Sequence, residues 1–176
     1  MKKILALILA LALVVLTGAA IAENPSKGGG DYNDGTTDDQ TGFVFAFSDK
    51  EELIAWANDE VAKLAEAESV QAYFGQADAI AAILGDPEYT VNELLPVYAA
   101  NYEESMGEQE IRLTFATPYE KGTDVAVMLG FKADEAVEWT AVAGKVLDDS
   151  AVLFKLDPAT ILRVQENSAL LAVVNK

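Results

Sequence analysis

The side chains that could carry chemistry in this sequence are carboxylates and phenols. The chain has 29 Asp and Glu residues but neither His nor Cys. Without an imidazole or a thiol it has no Ser-His-Asp triad, no thiol nucleophile and no His/Cys site for zinc, haem or an iron–sulfur cluster. Glycoside hydrolysis by two carboxyl groups stays chemically available, but among so many acids some pair always lies at a suitable separation. The sequence therefore predicts no catalytic residue, and we expect a protein that is not an enzyme.

An acidic run at residues 31–42, DYNDGTTDDQTG, is the first candidate for a metal site. An EF-hand loop needs Gly at its sixth position and Glu at its twelfth. In this run Gly35 comes one place early and Gly42 stands where Glu is required, so a solvated linker is the better interpretation. Weak calcium binding by carboxylates at turns stays open as an alternative, and otherwise we expect no cofactor. Two predicted turns would supply the carboxylates for this alternative. Their acids are Asp134, Glu135, Asp148 and Asp149.

Exposed aromatic rings are the second kind of candidate, because they stack on sugars and anchor protein partners. Trp56 lies beside the apolar face of a predicted helix, and Trp139 alternates with polar residues in a predicted strand. Both tryptophans are predicted to be core residues. Tyr98, Tyr102 and Tyr119 fall near strand ends or turns, so we interpret them as the candidate binding residues.

The N-terminus has the pattern of an export signal. Two lysines precede an apolar run at residues 4–16, and small residues follow at Ala20 and Ala22. That run is shorter than the roughly 20 residues a membrane-spanning helix needs, and the small residues suit a signal-peptidase site. We therefore predict a signal peptide over residues 1–22, a secreted or cell-envelope location, and no membrane insertion after cleavage.

The remainder divides into a linker and one domain. Residues 23–42 are rich in Gly and acids and predict a flexible linker, whereas residues 43–176 predict a single α+β domain. A helical cap of two to three helices is expected over residues 48–85, with Ser48 and Glu51 forming a capping box. Residues 89–176 alternate in the manner of strands with one buried face, which favours an Ig-like antiparallel β-sandwich.

Several stretches together resemble a group of exported or cell-wall-associated domains from Gram-positive anaerobes. These are SVQAYFG at 69–75, YTVNELLPV at 89–97, TFATPYEKGTDVAVMLGF at 114–131, VEWTAVAGKVLDDSAVLFKLDPATIL at 137–162 and ALLAVV at 169–174. The resemblance covers residues 43–176 and rests on patterning. It implies an exported sandwich domain and carries no functional residue to this chain.

The excess of acidic over basic residues makes nucleic acid an improbable partner. The net charge is −17, and the arginines Arg112 and Arg163 stand apart from other basic residues. Such a chain repels nucleic acid, whose phosphates require clustered Lys and Arg. We predict a monomeric, non-enzymatic interaction domain that binds an extracellular protein or glycan. The alternative is a carboxylate-dependent glycan hydrolase or a carbohydrate-binding module.

Overall fold

The computed structural model describes residues 35–37, 41–85, 89–116, 118–134, 136–147 and 151–176. The predicted signal peptide and the start of the acidic run, residues 31–34, lie outside the described residues. Among the helices that are described, none has the length and apolarity to cross a membrane.

Within the described residues the chain forms eight strands and four α-helices. The strands are β1 (Thr36–Thr37), β2 (Val44–Phe47), β3 (Thr90–Ala100), β4 (Gln109–Thr114), β5 (Asp124–Ala133), β6 (Ala136–Val146), β7 (Ala151–Leu156) and β8 (Ala169–Asn175). The helices are α1 (Glu51–Glu66), α2 (Val70–Phe74), α3 (Ala77–Leu84) and α4 (Pro158–Asn167). Three helices thus precede β3, and the fourth lies between β7 and β8.

All eight strands belong to one antiparallel sheet, in the order β1-β2-β3-β8-β5-β6-β7-β4. The sheet curves until its first strand, β1, contacts its last strand, β4. At this contact the Thr36 hydroxyl accepts a 2.7 Å hydrogen bond from the Arg112 backbone N–H. The result is a nearly closed barrel. The α+β class is confirmed, but the Ig-like β-sandwich is not, since β8 and β7 each pair on both sides and no break separates two sheets.

The inside of the roll is the first of two cores. It receives alternate side chains of every strand from β2 to β8, as the period of two requires. Edge-to-face ring pairs run through it, such as Phe45 with Phe154 and Phe47 with Phe115. Helix α4 closes this core with two buried side chains, Ile161 and Val164.

The second core lies between α1–α3 and the outer face of the sheet. Ala126 and Met128 of β5, and Leu170, Ala172 and Val174 of β8, face these helices. Strands β5 and β8 are consequently buried on both faces, where the sequence predicted a single buried face. The helical layer explains this difference, because it covers a surface that would otherwise be solvated.

Ordered structure begins before Phe43, where we placed the start of the domain. Two residues of the predicted linker form β1, which pairs with β2 through Thr36 opposite Phe45. Gly35 has φ +107°, and a Cβ there would lie 1.9 Å from the Phe45 carbonyl oxygen. Only glycine permits this close approach. We call the junction between β2 and β4, which β1 spans, the closed seam.

Strands β6 and β7 form the opposite kind of junction. They pair over three residues of β6, from Gly144 opposite Phe154 to Val146 opposite Val152, and then separate. Beyond Phe154 the chain ends β7 and enters α4, whose N-cap Asp157 accepts a 3.0 Å hydrogen bond from the Thr160 N–H. We call the gap beside residues 136–143 of β6 the open seam.

Candidate functional site: the open edge of strand β6

The three predicted binding tyrosines lie in different parts of the molecule. Tyr98 is half-buried on the outer face of β3, opposite Ala46. Tyr102 is 4% exposed, and its hydroxyl donates a 2.6 Å hydrogen bond to the Gly107 carbonyl inside the first core. Tyr119 packs its half-buried ring edge-to-face against Phe115. The structure therefore brings no exposed tyrosine patch together from these residues.

The tryptophans are packing residues of the second core. Trp139 is 5% exposed and meets Phe74 edge-to-face, with ring centroids 4.8 Å apart. The prediction that Trp139 is a core residue is confirmed. Trp56 packs half-buried against the same core.

The exposed carboxylates show no convergence in the described part of the chain. Asp134 is exposed at the β5–β6 turn, while Glu135, Asp148 and Asp149 lie outside the described residues. Within the described ranges, no group of three or more acidic side chains is placed to hold a metal ion. The loop calcium alternative gains no geometric support from these residues.

One acid of α1 is buried at the edge of the second core. Glu60 of α1 is 4% exposed and accepts hydrogen bonds from the Lys63 ammonium at 2.6 Å and the Tyr73 hydroxyl at 2.7 Å. Burial and the Glu60 hydrogen bond raise the pKa of Tyr73, and the same carboxylate raises the pKa of Lys63. The cluster fixes α1 to α2, which gives it a structural role.

Glu60 lies three residues after Ala57 and four before Leu64, both buried in the second core. This is the spacing of one helix face. The sequence therefore contained a signal for the burial of Glu60.

A second buried acid lies at one end of the first core. Glu93 of β3 is 4% exposed and faces the same side of the sheet as Leu95 and Val97. Burial, and next the charge of Glu93, raise the pKa of Tyr119. The Tyr119 hydroxyl is buried and finds no hydrogen-bond partner among the described residues. These groups add polarity to a packed interior.

The open seam differs from these places because backbone groups of β6 lack a strand partner there in the described structure. Leu147 N–H donates to the Ala151 carbonyl on the β7 side at 2.8 Å, while Val146 N–H donates to the Thr123 carbonyl on the β5 side at 3.0 Å. The register between β5 and β6 is unbroken from Asp124–Lys145 to Ala133–Ala136. Because hydrogen-bonding direction alternates along an antiparallel strand, odd-numbered residues of β6 direct their N–H and C=O groups away from β5.

Four residues of β6 thus direct backbone groups into the open seam. Among the described residues, Val137, Trp139 and Ala141 have no strand partner on that side, whereas the Gly144–Phe154 pairing occupies the Ala143 carbonyl with the Lys155 N–H and leaves the Ala143 N–H unpaired. We call the four the open edge: Val137, Trp139, Ala141 and Ala143.

The open edge is held rigidly. Trp139 lies so close over Gly130 of β5 that a Cβ on this glycine would stand 2.6 Å from the indole ring. At the end of the edge, a Cβ on Gly144 would meet a methyl group of Val127 at 2.9 Å. These close contacts and the ten-residue pairing with β5 fix the strand before any partner arrives.

Two inner-facing side chains of β6 are exposed, as expected where no strand continues the sheet beside residues 136–143. Glu138 and Thr140 stand opposite Phe131 and Leu129, which are buried in the first core, yet both are exposed. The Glu138 carboxylate accepts a hydrogen bond from the Arg163 guanidinium of α4, which also lies 4.0 Å from the Phe131 ring centroid. A single ion pair therefore bridges the open seam in the described structure between β6 and α4.

No family model, no curated protein and no solved structure matches this chain.

Proposed function

We propose that this chain is a secreted or cell-envelope interaction domain that binds an extracellular protein and performs no catalysis. One observation carries the proposal: the open edge of β6, held in place by its pairing with β5, leaves backbone donors and acceptors without a strand partner in the described structure. A sheet edge of this kind is a template for pairing with another chain. Proteins that do not use such an edge cover it, shorten it or place charge along it.

Protein is favoured over glycan as the ligand. Carbohydrate-binding sandwiches present exposed aromatic rings, whereas Trp139 is buried and Trp56 packs against the second core. Backbone groups, in contrast, are satisfied best by another extended backbone, which supplies donors and acceptors at the same spacing.

The test is to probe an array of extracellular proteins and an array of bacterial, plant and mucin glycans with the full chain. We expect saturable binding to proteins and none to glycans. Binding to neither array would refute an interaction role. Glycan hydrolysis that is abolished by a single Glu→Gln substitution would overturn the non-enzymatic assignment.

The export part of the proposal rests on the predicted signal peptide over residues 1–22. Its test is N-terminal sequencing of the chain recovered outside the cells that express it. We expect the exported protein to begin near Glu23. An exported chain that begins at Met1 would show that no cleavage takes place.

A further inference from the structure

We propose that the open edge of β6 receives an extended, lysine- or arginine-rich segment of a protein partner as an added β-strand. This inference rests on the proposed function and names both the mode of binding and the chemistry of the partner. The length of the edge and the charge of the chain both support it.

The length of the open seam sets the length of the segment that fits it. Residues 136–143 extend over roughly 26 Å at the usual rise per strand residue. An incoming segment of about eight residues therefore matches the edge. Ala141 and Ala143 have small side chains, so long side chains on neighbouring positions of the added strand find room beside them.

The net charge of the chain favours a cationic partner. The protein has 29 acidic and 12 basic residues, so its field attracts a cationic segment over a distance. A second copy has the same net charge of −17 and is repelled by that field. For this reason the proposal commits to a cationic partner rather than to self-pairing.

The local charges give the incoming segment a contact point. Glu138 lies on β6 between two open-edge residues, its side chain is 59% exposed, and its partner in the described structure is Arg163. A Lys or Arg of the added strand can replace Arg163 as the ion-pair partner of Glu138. At the other end of β6, the Lys145 ammonium is engaged by Asp124 at 3.8 Å.

The experiment uses the full chain and a peptide of four Lys-Thr repeats with blocked ends. A Trp56→Phe variant leaves Trp139, which lies on the open edge, as the reporter of binding by fluorescence. Hydrogen exchange then locates the peptide. We expect saturable binding, with slower exchange of the amides at residues 136–143.

Two control peptides separate strand addition from simple attraction of charge. The Lys-Thr peptide with every backbone amide N-methylated has the same charge but lacks the N–H groups that pair along an edge. Four Glu-Thr repeats keep those groups and reverse the charge. We expect each control to bind weaker by about tenfold or more, equivalent to the 1.4 kcal/mol that separates decades of affinity.

Two protein variants test the edge itself. Ala141→Pro removes one outward N–H, and we expect affinity for the Lys-Thr peptide to fall by about tenfold. Ala141→Val keeps that N–H and serves as the matched control, with affinity within about threefold of the parent. Glu138→Gln should weaken binding of the Lys-Thr peptide without abolishing it.

Three results would overturn the inference. One is exchange protection that falls outside residues 136–143. Another is unchanged affinity of the Ala141→Pro variant while its melting temperature matches that of the control. The third is concentration-dependent self-association that protects β6 without peptide, which would assign the edge to a second copy. If Ala141→Pro still binds its extracellular proteins normally, the proposed function survives and the edge inference fails.

Discussion

The closed seam and the open seam are the two places where the curved sheet could come apart, and the chain treats their strand edges differently. At the closed seam the free side of β4 faces β1, and Thr36 bonds the Arg112 backbone. The alternating residues of β4 that face this side include Glu110 and Arg112. Charged side chains at these positions also discourage pairing with another chain. The open edge of β6 has neither a covering strand among the described residues nor a charged side chain on its four outward positions.

This difference favours the open edge, and not the edge of β4, as the place where a partner strand binds. The chain contributes a segment from before Phe43 to cover β4, and it leaves residues 136–143 of β6 uncovered in the described structure.

The largest effect is expected from two neighbouring substitutions on β6. Val142→Pro removes an N–H that points to β5, and we expect a loss of about 3 kcal/mol in the free energy of unfolding. Ala141→Pro removes an N–H that points into the open seam and should cost at most about 1 kcal/mol. Urea unfolding of the full chain measures both. Equal losses would contradict the assignment of the open edge.

The next largest effect concerns the approach of β1 to β2. Gly35→Ala places a methyl group against the Phe45 carbonyl oxygen, so β1 must leave the sheet. We expect a loss of about 2 kcal/mol, the contribution of the hydrogen bonds that β1 makes. Amide exchange at Arg112 should accelerate.

Gly75→Ala is the matched control, because Gly75 also has positive φ but no atom within 4 Å of its Cβ position. If both substitutions accelerate exchange at Arg112 equally, the close approach at Gly35 is not what holds β1.

A finer test removes one hydroxyl from the closed seam. Thr36→Val deletes the oxygen that accepts from Arg112 N–H and donates to the Arg112 carbonyl at 3.4 Å. We expect a loss of about 1.5 kcal/mol. Thr36→Ser keeps the hydroxyl and should retain most of the stability in the same urea titration.

On the open side, the N-cap of α4 gives a pH-dependent prediction. Hydrogen bonds from Thr160 lower the pKa of Asp157 in the folded state. Its contribution to stability is therefore present above the ordinary Asp pKa and is lost as the pH falls through the folded value. Asp157→Ala should cost about 1 kcal/mol at neutral pH.

The stability difference between Asp157→Ala and the parent should shrink below a pH of about 4. Asp157→Asn keeps an acceptor without a charge and is the control. A difference that stays constant down to the lowest pH would contradict the role of the carboxylate.

The smallest effect is expected where α4 meets β6. Arg163→Gln removes the ion pair with Glu138, both of whose side chains are partly exposed, so the cost should be about 0.5 kcal/mol. Thermal unfolding measures it, with Arg163→Lys as the control. A loss several times larger would show that this ion pair closes the open seam.

Local features of the fold could be predicted from local sequence. The apolar run before residue 48 forms β2, and Asp157-Pro158 begins α4. The capping box prediction is wrong: the N-cap of α1 is Lys50, without a side-chain bond. Ser48 Oγ instead accepts a weak hydrogen bond from Lys50 N–H at 3.4 Å.

Long-range pairing could not be predicted, and the candidate site depends on it. Whether residues 136–143 form an edge is decided by where β7 separates from β6, at Gly144, and by what lies beyond. The alternating pattern of apolar and polar residues in this segment is the same whether its edge is paired or unpaired. The tyrosines show the same limit, because exposure at a strand end depends on neighbours distant in sequence.

The central place of β8 has a consequence for biosynthesis. This strand is the last along the chain in the described structure, yet it lies between β3 and β5 and pairs with both. A chain leaving the ribosome cannot join the two halves of its sheet until residues 169–175 have been made. Until then the apolar strand β5 lacks a neighbour on one side, and this interval is when we expect chaperones to matter most.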